Sequence, residues 1–263
     1  MAVTVPFEKW NGAGNDFILV DANEQVVDDA RALAVRECDR ERGIGADGVL
    51  LLDLDAGADP ARVEMTLVQP DGTTAAMCGN GARCAAKWAA DRAGTDEVVV
   101  DTPAGPRRST IRGDEVAVEM GTPSFGSPIE ERVGALTVTA VDTGVPHAVA
   151  FVDDVDEVPL AEVAPPIRHH EIFSEGANVT LAAPADEGFR QRTYERGVEG
   201  ETVACGTGAV AIAADARRRG LVEAGEPVPV SPPGGTLTVT VGDDGARMEG
   251  PVEKEFAGHL ERA

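Results

Sequence analysis

The sequence predicts an α+β protein of two pseudo-symmetric domains, each a β-barrel-like curved sheet around one central helix. Three observations lead there. The chain contains an internal duplication. Most of its apolar segments alternate with a period of two. Each half holds one stretch of helical spacing, and each stretch opens on a Cys-Gly pair. The first copy of the duplicated motif is Cys78-Gly-Asn-Gly-Ala-Arg-Cys84, running on to Gly94, and the second is Cys205-Gly-Thr-Gly208, running on to Gly220. The flanks correspond as well. Gly14 to Asp21 resembles Gly144 to Asp153, and Asp101-Thr-Pro-Ala-Gly105 resembles Ser231-Pro-Pro-Gly-Gly235. Two repeats of this size are too long for a solenoid and read as two similar domains. Their expected limits are residues 1–121 and 122–252, with the tail, about 253–263, packing on the first. A pseudo-two-fold axis between them would bring the two Cys-Gly motifs to the domain interface.

Each element has a local reason. Val98 to Val100, Val116 to Val118, Leu136 to Val141, Val149 to Val152 and Leu237 to Val241 are rich in β-branched residues and alternate in strand fashion. The 30 glycines and 17 prolines supply the turns between them. In the first central helix Ala82, Ala85, Ala86, Ala89 and Ala93 recur at helical spacing, and in the second Ala209 to Ala214 is apolar all round, which predicts a buried helix. Arg92 before Gly94, and Arg217 to Arg219 before Gly220, read as helix ends, with cations for the dipole and glycine for the left-handed cap. A further helix is expected over residues 28–41.

Composition narrows the function. Of 263 residues 43% are hydrophobic, which excludes disorder, and no apolar run reaches the ~20 residues of a membrane helix. The segment Met1 to Trp10 has no secretory pattern, so a cytoplasmic location is expected. Asp and Glu number 46 against 23 Lys and Arg, for a net charge of −23. Lysine is confined to Lys9, Lys87 and Lys254. Such a surface repels itself in dilute salt and suits a halophilic cytoplasm. It also argues against nucleic-acid and membrane partners, which need clustered cations. The four cysteines, Cys38, Cys78, Cys84 and Cys205, form no C-x-x-C pair. Neither a disulfide scaffold nor a structural zinc site is expected.

Cys78 and Cys205 gain interest from where they fall. A helix N-terminus carries about half a positive charge and unpaired N–H groups, which favour thiolate. The glycines that follow leave those N–H groups open to a carboxylate. With both motifs at one interface, a ligand carboxylate would be held by two helices with one sulfur on each side of its Cα. A thiolate on one face then removes the Cα proton while a thiol on the other supplies one, which is two-base epimerisation. The two thiols would titrate as a coupled pair. No lysine lies beside a phosphate-binding turn, so no pyridoxal cofactor is expected. Buried structural cysteines, and a thiol switch between Cys78 and Cys205, stand as the alternatives.

Together with Gly12-Ala-Gly-Asn-Asp-Phe17, Gly43-Ile-Gly-Ala-Asp-Gly48, Pro146-His147, Glu195-Arg-Gly197, Ala204-Cys-Gly-Thr-Gly208 and Pro233-Gly-Gly235, the Cys78 motif resembles the diaminopimelate epimerases in order and spacing along nearly the whole chain. The resemblance implies a cofactor-independent two-cysteine isomerase that interconverts LL- and meso-2,6-diaminopimelate in lysine biosynthesis, usually as a homodimer. It implies Cys78 and Cys205 as the acid–base pair, and Gly79, Asn80, Gly206 and Thr207 as the α-carboxylate cradle. It implies Asn15, Asn178, Glu195 and Arg196 as substrate contacts, and His147 and Glu195 as residues that tune the thiols. The planar fork of Arg196 independently suits a distal carboxylate. Three departures stand out. Gln69-Pro-Asp-Gly72 replaces Asn-Ala-Asp-Gly, with Gln69 at the substrate position. Val145 replaces the asparagine of Gly-Asn-Pro-His. The stretch Glu195 to Thr202 is one residue longer than the family pattern. The two replaced asparagines put recognition of the substrate's far end in question. A proline or hydroxyproline racemase of the same fold, and a non-catalytic amino-acid-binding or thiol-switch protein, are the rival readings.

Overall fold

A computed structural model describes residues 4–25 and 27–261. Part of the segment read above for a secretory pattern and the last two residues of the tail lie outside the described residues. Contacts within the chain gather into two compact units, Met1–Val118 with Gly250–Ala263, and Glu119–Glu249.

The first unit runs β1 (Thr4–Gly12), β2 (Asn15–Asp21), α1 (Ala30–Glu37), β3 (Gly48–Asp55), β4 (Ala61–Val68), β5 (Thr74–Ala75), α2 (Gly79–Ala93), β6 (Glu97–Thr102), β7 (Gly105–Arg112) and β8 (Glu115–Gly121). The second runs β9 (Ser124–Val133), β10 (Leu136–Asp142), β11 (Pro146–Phe151), α3 (Leu160–Arg168), β12 (Asn178–Pro184), β13 (Phe189–Glu195), β14 (Gly200–Thr202), α4 (Gly206–Arg218), β15 (Pro227–Ser231), β16 (Leu237–Gly242) and β17 (Gly245–Pro251). The last strand, β18 (Glu253–Glu261), returns to the first unit and pairs antiparallel with β1.

The two units share one topology. In the first, β1 and β2 pair antiparallel, β2 runs parallel to β3, β3 and β4 are antiparallel, β4 runs parallel to β6, and β6, β7 and β8 follow antiparallel. In the second the same sequence of directions joins β10, β11, β12, β13, β15, β16 and β17. Each parallel step needs a crossover, and helices supply it: α1 and α2 in the first unit, α3 and α4 in the second. The strand β9 flanks β10 as β18 flanks β1, so the first unit completes its sheet with the far end of the chain.

The strands expected over residues 98–100, 116–118, 136–141, 149–152 and 237–241 coincide with β6, β8, β10, β11 and β16. Helix α2 packs on β1, β2, β3, β4, β6 and β7, and α4 on β10, β11, β12, β15 and β16, so each is wrapped by its own curved sheet. Their alanines allow that close fit, and every residue of α4 from Gly206 to Ala216 is buried. Asp215, buried in that helix, is neutralised by Arg218 and Arg219, at 2.7 and 2.9 Å. Two of the three terminal arginines thus serve this carboxylate besides the helix dipole. Gly94 takes the left-handed conformation expected of a cap, with φ 68°.

The helix expected over 28–41 is shorter. The Asp29 carboxylate accepts from the Ala32 N–H and sets the start at Ala30. The Asp39 carboxylate then accepts the N–H groups of Glu41 and Arg42, which turns the chain away from a helix. Its counterpart α3 was not anticipated, because Pro165 and Pro166 lie inside it. Prolines read as breakers, and the helix does end soon after them, at Arg168.

Candidate active site

In the first unit Cys78 is the N-cap of α2. It is extended, with φ −143°, and its sulfur accepts the Gly81 N–H at 3.4 Å. Gly79 and Asn80 form the first turn, where backbone N–H groups have no intrahelical acceptor. The Asn80 side chain is buried and anchored on both sides. Its Oδ1 accepts from Arg83 at 2.8 Å, and its Nδ2 donates to Asn15 Oδ1 at 2.5 Å. Asn15 in turn donates to Asp47 at 2.9 Å. Arg40 bridges Asp47 and Asp16, and Lys9 donates to Asp16 at 2.6 Å and to the Gly45 carbonyl. Burial would raise the Asp16 carboxyl, but Arg40 and Lys9 hold it well below the ordinary carboxylate range. The network explains why the Gly12–Phe17 and Gly43–Gly48 motifs belong together. One brings Asn15 and Asp16, the other Asp47, and a single ionic lattice closes them behind the Cys78 turn. At Gly12 a Cβ would press on the Asn80 carbonyl and the Cys84 sulfur, each at 3.1 Å, so a side chain there would push against the start of α2. Gln69 closes the turn over residues 69–73, where its Oε1 accepts from the Thr73 hydroxyl at 3.2 Å.

In the second unit Cys205 is the N-cap of α4, also extended, but its sulfur makes no cap bond. It lies 3.5 Å from the Thr207 hydroxyl. That hydroxyl is 3.0 Å from His147 Nε2, and His147 Nδ1 is 3.0 Å from the Thr180 hydroxyl. Thr193 donates to Thr180 at 3.4 Å, and Gln191 Nε2 donates to Thr193 at 2.9 Å and to the Cys205 carbonyl at 3.0 Å. A ring of polar groups therefore leaves Cys205 at its sulfur and returns at its carbonyl. Gly208 makes room for it, since a Cβ would stand 2.7 Å from Gln191 Nε2.

Burial is the dominant influence on this ring. It pushes the His147 imidazole down to about 3, with the Arg196 charge adding to it, so His147 is neutral. A neutral imidazole donates from one nitrogen and accepts at the other. It can therefore follow the Thr207 hydroxyl as that group turns toward either a thiol or a thiolate. Burial, and next the Glu195 carboxylate, push the Cys205 thiol well above its ordinary range. The helix N-terminus favours thiolate at Cys205, as the sequence suggested, but desolvation outweighs it. Glu195 also accepts from the Thr202 hydroxyl at 2.6 Å. Asn178 accepts the Arg196 backbone N–H at 2.8 Å. The Arg196 guanidinium reaches the Glu175 carbonyl at 3.4 Å, and no carboxylate among the described residues pairs with it. Val145 contributes its carbonyl to Thr143, at 3.2 Å from the backbone N–H.

The structure thus gathers Cys78, Gly79, Asn80 and Asn15 in the first unit. In the second it gathers His147, Asn178, Glu195, Arg196, Cys205, Gly206 and Thr207. Sequence reasoning passed over Arg83, Lys9, Asp16, Arg40 and Asp47, and over Thr180, Gln191 and Thr193. A signal for the last three exists. Asn178 and Thr180, and Gln191, Thr193 and Glu195, alternate along β12 and β13, and Thr180 pairs with Thr193 in register. On β12, whose other residues are apolar, a polar series at period two marks a polar face turned inward; on β13 the intervening Arg190 and Arg192 mask it.

The arrangement in each unit is a thiol at the start of a buried helix, beside N–H groups able to hold an anion. Comparison with known proteins agrees. The family model described as diaminopimelate epimerase matches residues 7–126 and 139–255. The diaminopimelate epimerase of Methanothrix thermoacetophila is 44% identical, over 93% of this chain and 92% of that protein. That of Methanocella arvoryzae is 41% identical, over 98% and 97%. Among solved structures, a hydroxyproline epimerase from Agrobacterium vitis superposes with a TM-score of 0.72 at 17% identity, over 99% of this chain and 94% of that one, which is a likeness of fold. With matches spanning both units and both cysteine motifs, the chain belongs to the diaminopimelate epimerase family.

Proposed function

We propose that this protein interconverts LL- and meso-2,6-diaminopimelate by exchanging one Cα proton between two sulfurs, Cys78 and Cys205. The observation that carries the reading is the duplicated one. Two units of one topology each open the central helix with a cysteine followed by a glycine turn. In the proposed complex both helix starts hold the α-carboxylate, and the sulfurs flank the Cα.

Cys205, buried and facing Glu195, rests as the thiol. Cys78 then acts as the thiolate. It takes the Cα proton and leaves the electron pair on a carbanion, while Cys205 delivers its proton to the opposite face and becomes the thiolate. Thr207 and His147 follow that change without a buried cation. The N–H groups at the two helix starts stabilise the charge that develops on the carboxylate. Arg196 meets the distal carboxylate. No cofactor is invoked. The substrate is a dicarboxylic diamino acid, the working form is a homodimer, and the location is a cytoplasm of high salt. No helix among the described residues is long and apolar enough to cross a membrane.

The test is proton NMR of LL-diaminopimelate in D₂O with reduced protein, in 2 M and in 50 mM KCl. Wild type should lose the Cα proton signal, faster in 2 M KCl. Cys78→Ser should slow the loss, and both Cys78→Ser and Cys205→Ser should slow formation of the meso product, by about 10²–10⁴-fold, the scale of one acid–base group. Arg196→Met should raise KM strongly. No exchange by wild type, full exchange by Cys78→Ser, or full epimerisation by either cysteine variant overturns the mechanism. Binding without exchange would make the protein an amino-acid binder or thiol switch. Exchange on proline but not diaminopimelate would make it a racemase of the other type. Equal stability in both salts overturns the halophile reading.

A further inference from the structure

We infer that Arg168 and Glu199 form a strut that fixes the tip of the β13–β14 hairpin and thereby positions Arg196; its link to substrate rests on the function proposed above.

Arg168 ends α3 with its side chain only 9% exposed. Its guanidinium runs over Gly176, where a Cβ would collide with Nη1, so only glycine leaves the path open; Gly176 also has φ +73°. Beyond it, Nε and Nη2 of Arg168 donate to Glu199 Oε1 at 3.2 and 2.9 Å. That oxygen also accepts the Gly197 N–H at 3.1 Å, and the Glu199 N–H donates to the Glu195 carbonyl at 2.9 Å. Glu199 adopts φ +52°, a left-handed conformation that a side chain takes only when its surroundings impose it. Four contacts therefore converge on residues 195–199.

Arg196 sits inside this clamp. Its N–H is held by Asn178 and its guanidinium by the Glu175 carbonyl. Glu175 precedes Gly176, and Ala177 donates to the Arg168 carbonyl at 3.1 Å, so Arg168 braces both segments that flank Arg196. An exposed ion pair would do little. This one has a buried end, a shared backbone donor and a glycine reserved for its passage.

The test pairs hydrogen exchange with kinetics, using Glu199→Ala, Glu199→Gln and Arg168→Met. In Glu199→Ala and Arg168→Met, amide protection over residues 195–200 should fall at least tenfold while protection in α4 is kept. KM for diaminopimelate should rise about tenfold with kcat within twofold, because the sulfurs are untouched. Glu199→Gln, which can still accept from Arg168 and Gly197, should recover most of both. Unchanged protection in Glu199→Ala, or a fall in kcat at constant KM, overturns the strut. If wild type exchanges no Cα proton, the proposed reaction fails, and the exchange data still decide whether the strut exists.

Discussion

The two units carry the same topology and the same cysteine at the same place, yet they finish the two sulfurs differently. Cys78 is partly exposed, caps its helix with the sulfur, and is backed by an ionic lattice of Lys9, Asp16, Arg40 and Asp47. Cys205 is buried, caps nothing with its sulfur, and faces hydroxyls, a neutral imidazole and a carboxylate. Duplication therefore set the geometry, and divergence of the surrounding side chains set the chemistry. If the two sulfurs exchange one Cα proton as proposed, they share a single proton as a coupled pair, and the unequal surroundings favour the state that keeps it on Cys205.

The largest consequence is in reactivity. The other three cysteines are buried, and Cys38 and Cys84 are pushed up to about 12, chiefly by desolvation. Iodoacetamide at neutral pH should therefore alkylate Cys78 at least tenfold faster than any other cysteine, with activity lost in step. Peptide mapping reads the order directly. Modification of Cys205 first would invert the assignment of the resting thiolate.

The next effect comes from His147. Its proton affinity is lower in the folded protein than in the unfolded chain, at about 3 against an ordinary 6.5. Between those values the unfolded chain holds the extra proton, so this residue's contribution to stability falls as pH falls from 6.5 toward 3. At pH 5 it amounts to about 2 kcal/mol relative to pH 8. His147→Gln should flatten the stability curve by that amount, measured by urea unfolding at pH 5 and pH 8. Equal slopes in both proteins would mean that the imidazole is charged in the fold and that the Thr207 hydroxyl is held in one orientation.

The comparison also shows what a sequence can carry. The duplicated Cys-Gly turns, the alanine spacing and the β-branched runs were legible because each is a local pattern with one physical meaning. The helix limits near Asp29 and Asp39 depend on which backbone N–H an aspartate side chain takes, and α3 depends on packing that overrides two prolines. The polar ring around Cys205 joins residues from β11, β12, β13 and α4, so no window of sequence contains it. Asp16 and Asp47 lie in the Gly12–Phe17 and Gly43–Gly48 motifs, but their meeting through Arg40 is visible only in three dimensions.

The smallest effect separates the two units most cleanly, because it differs in sign. Serine is a strong N-cap, and a hydroxyl accepts an N–H better than a sulfur does. Cys78 already has the extended N-cap backbone, with its side chain accepting the Gly81 N–H. Cys78→Ser should therefore hold stability or raise it, by up to about 1 kcal/mol. At Cys205 the Gly208 N–H faces the sulfur without closing a cap bond, and the side chain is buried against Thr207 and Glu195. Cys205→Ser gains no cap and must satisfy a hydroxyl in the interior, so it should lose about 1 kcal/mol. For a chain of this size that is a separation of a few degrees in Tm, readable by calorimetry on the two variants. Equal shifts in the same direction would mean that the two helix starts are environmentally alike. The difference between the sulfurs would then have to come from the bound substrate instead of from the fold.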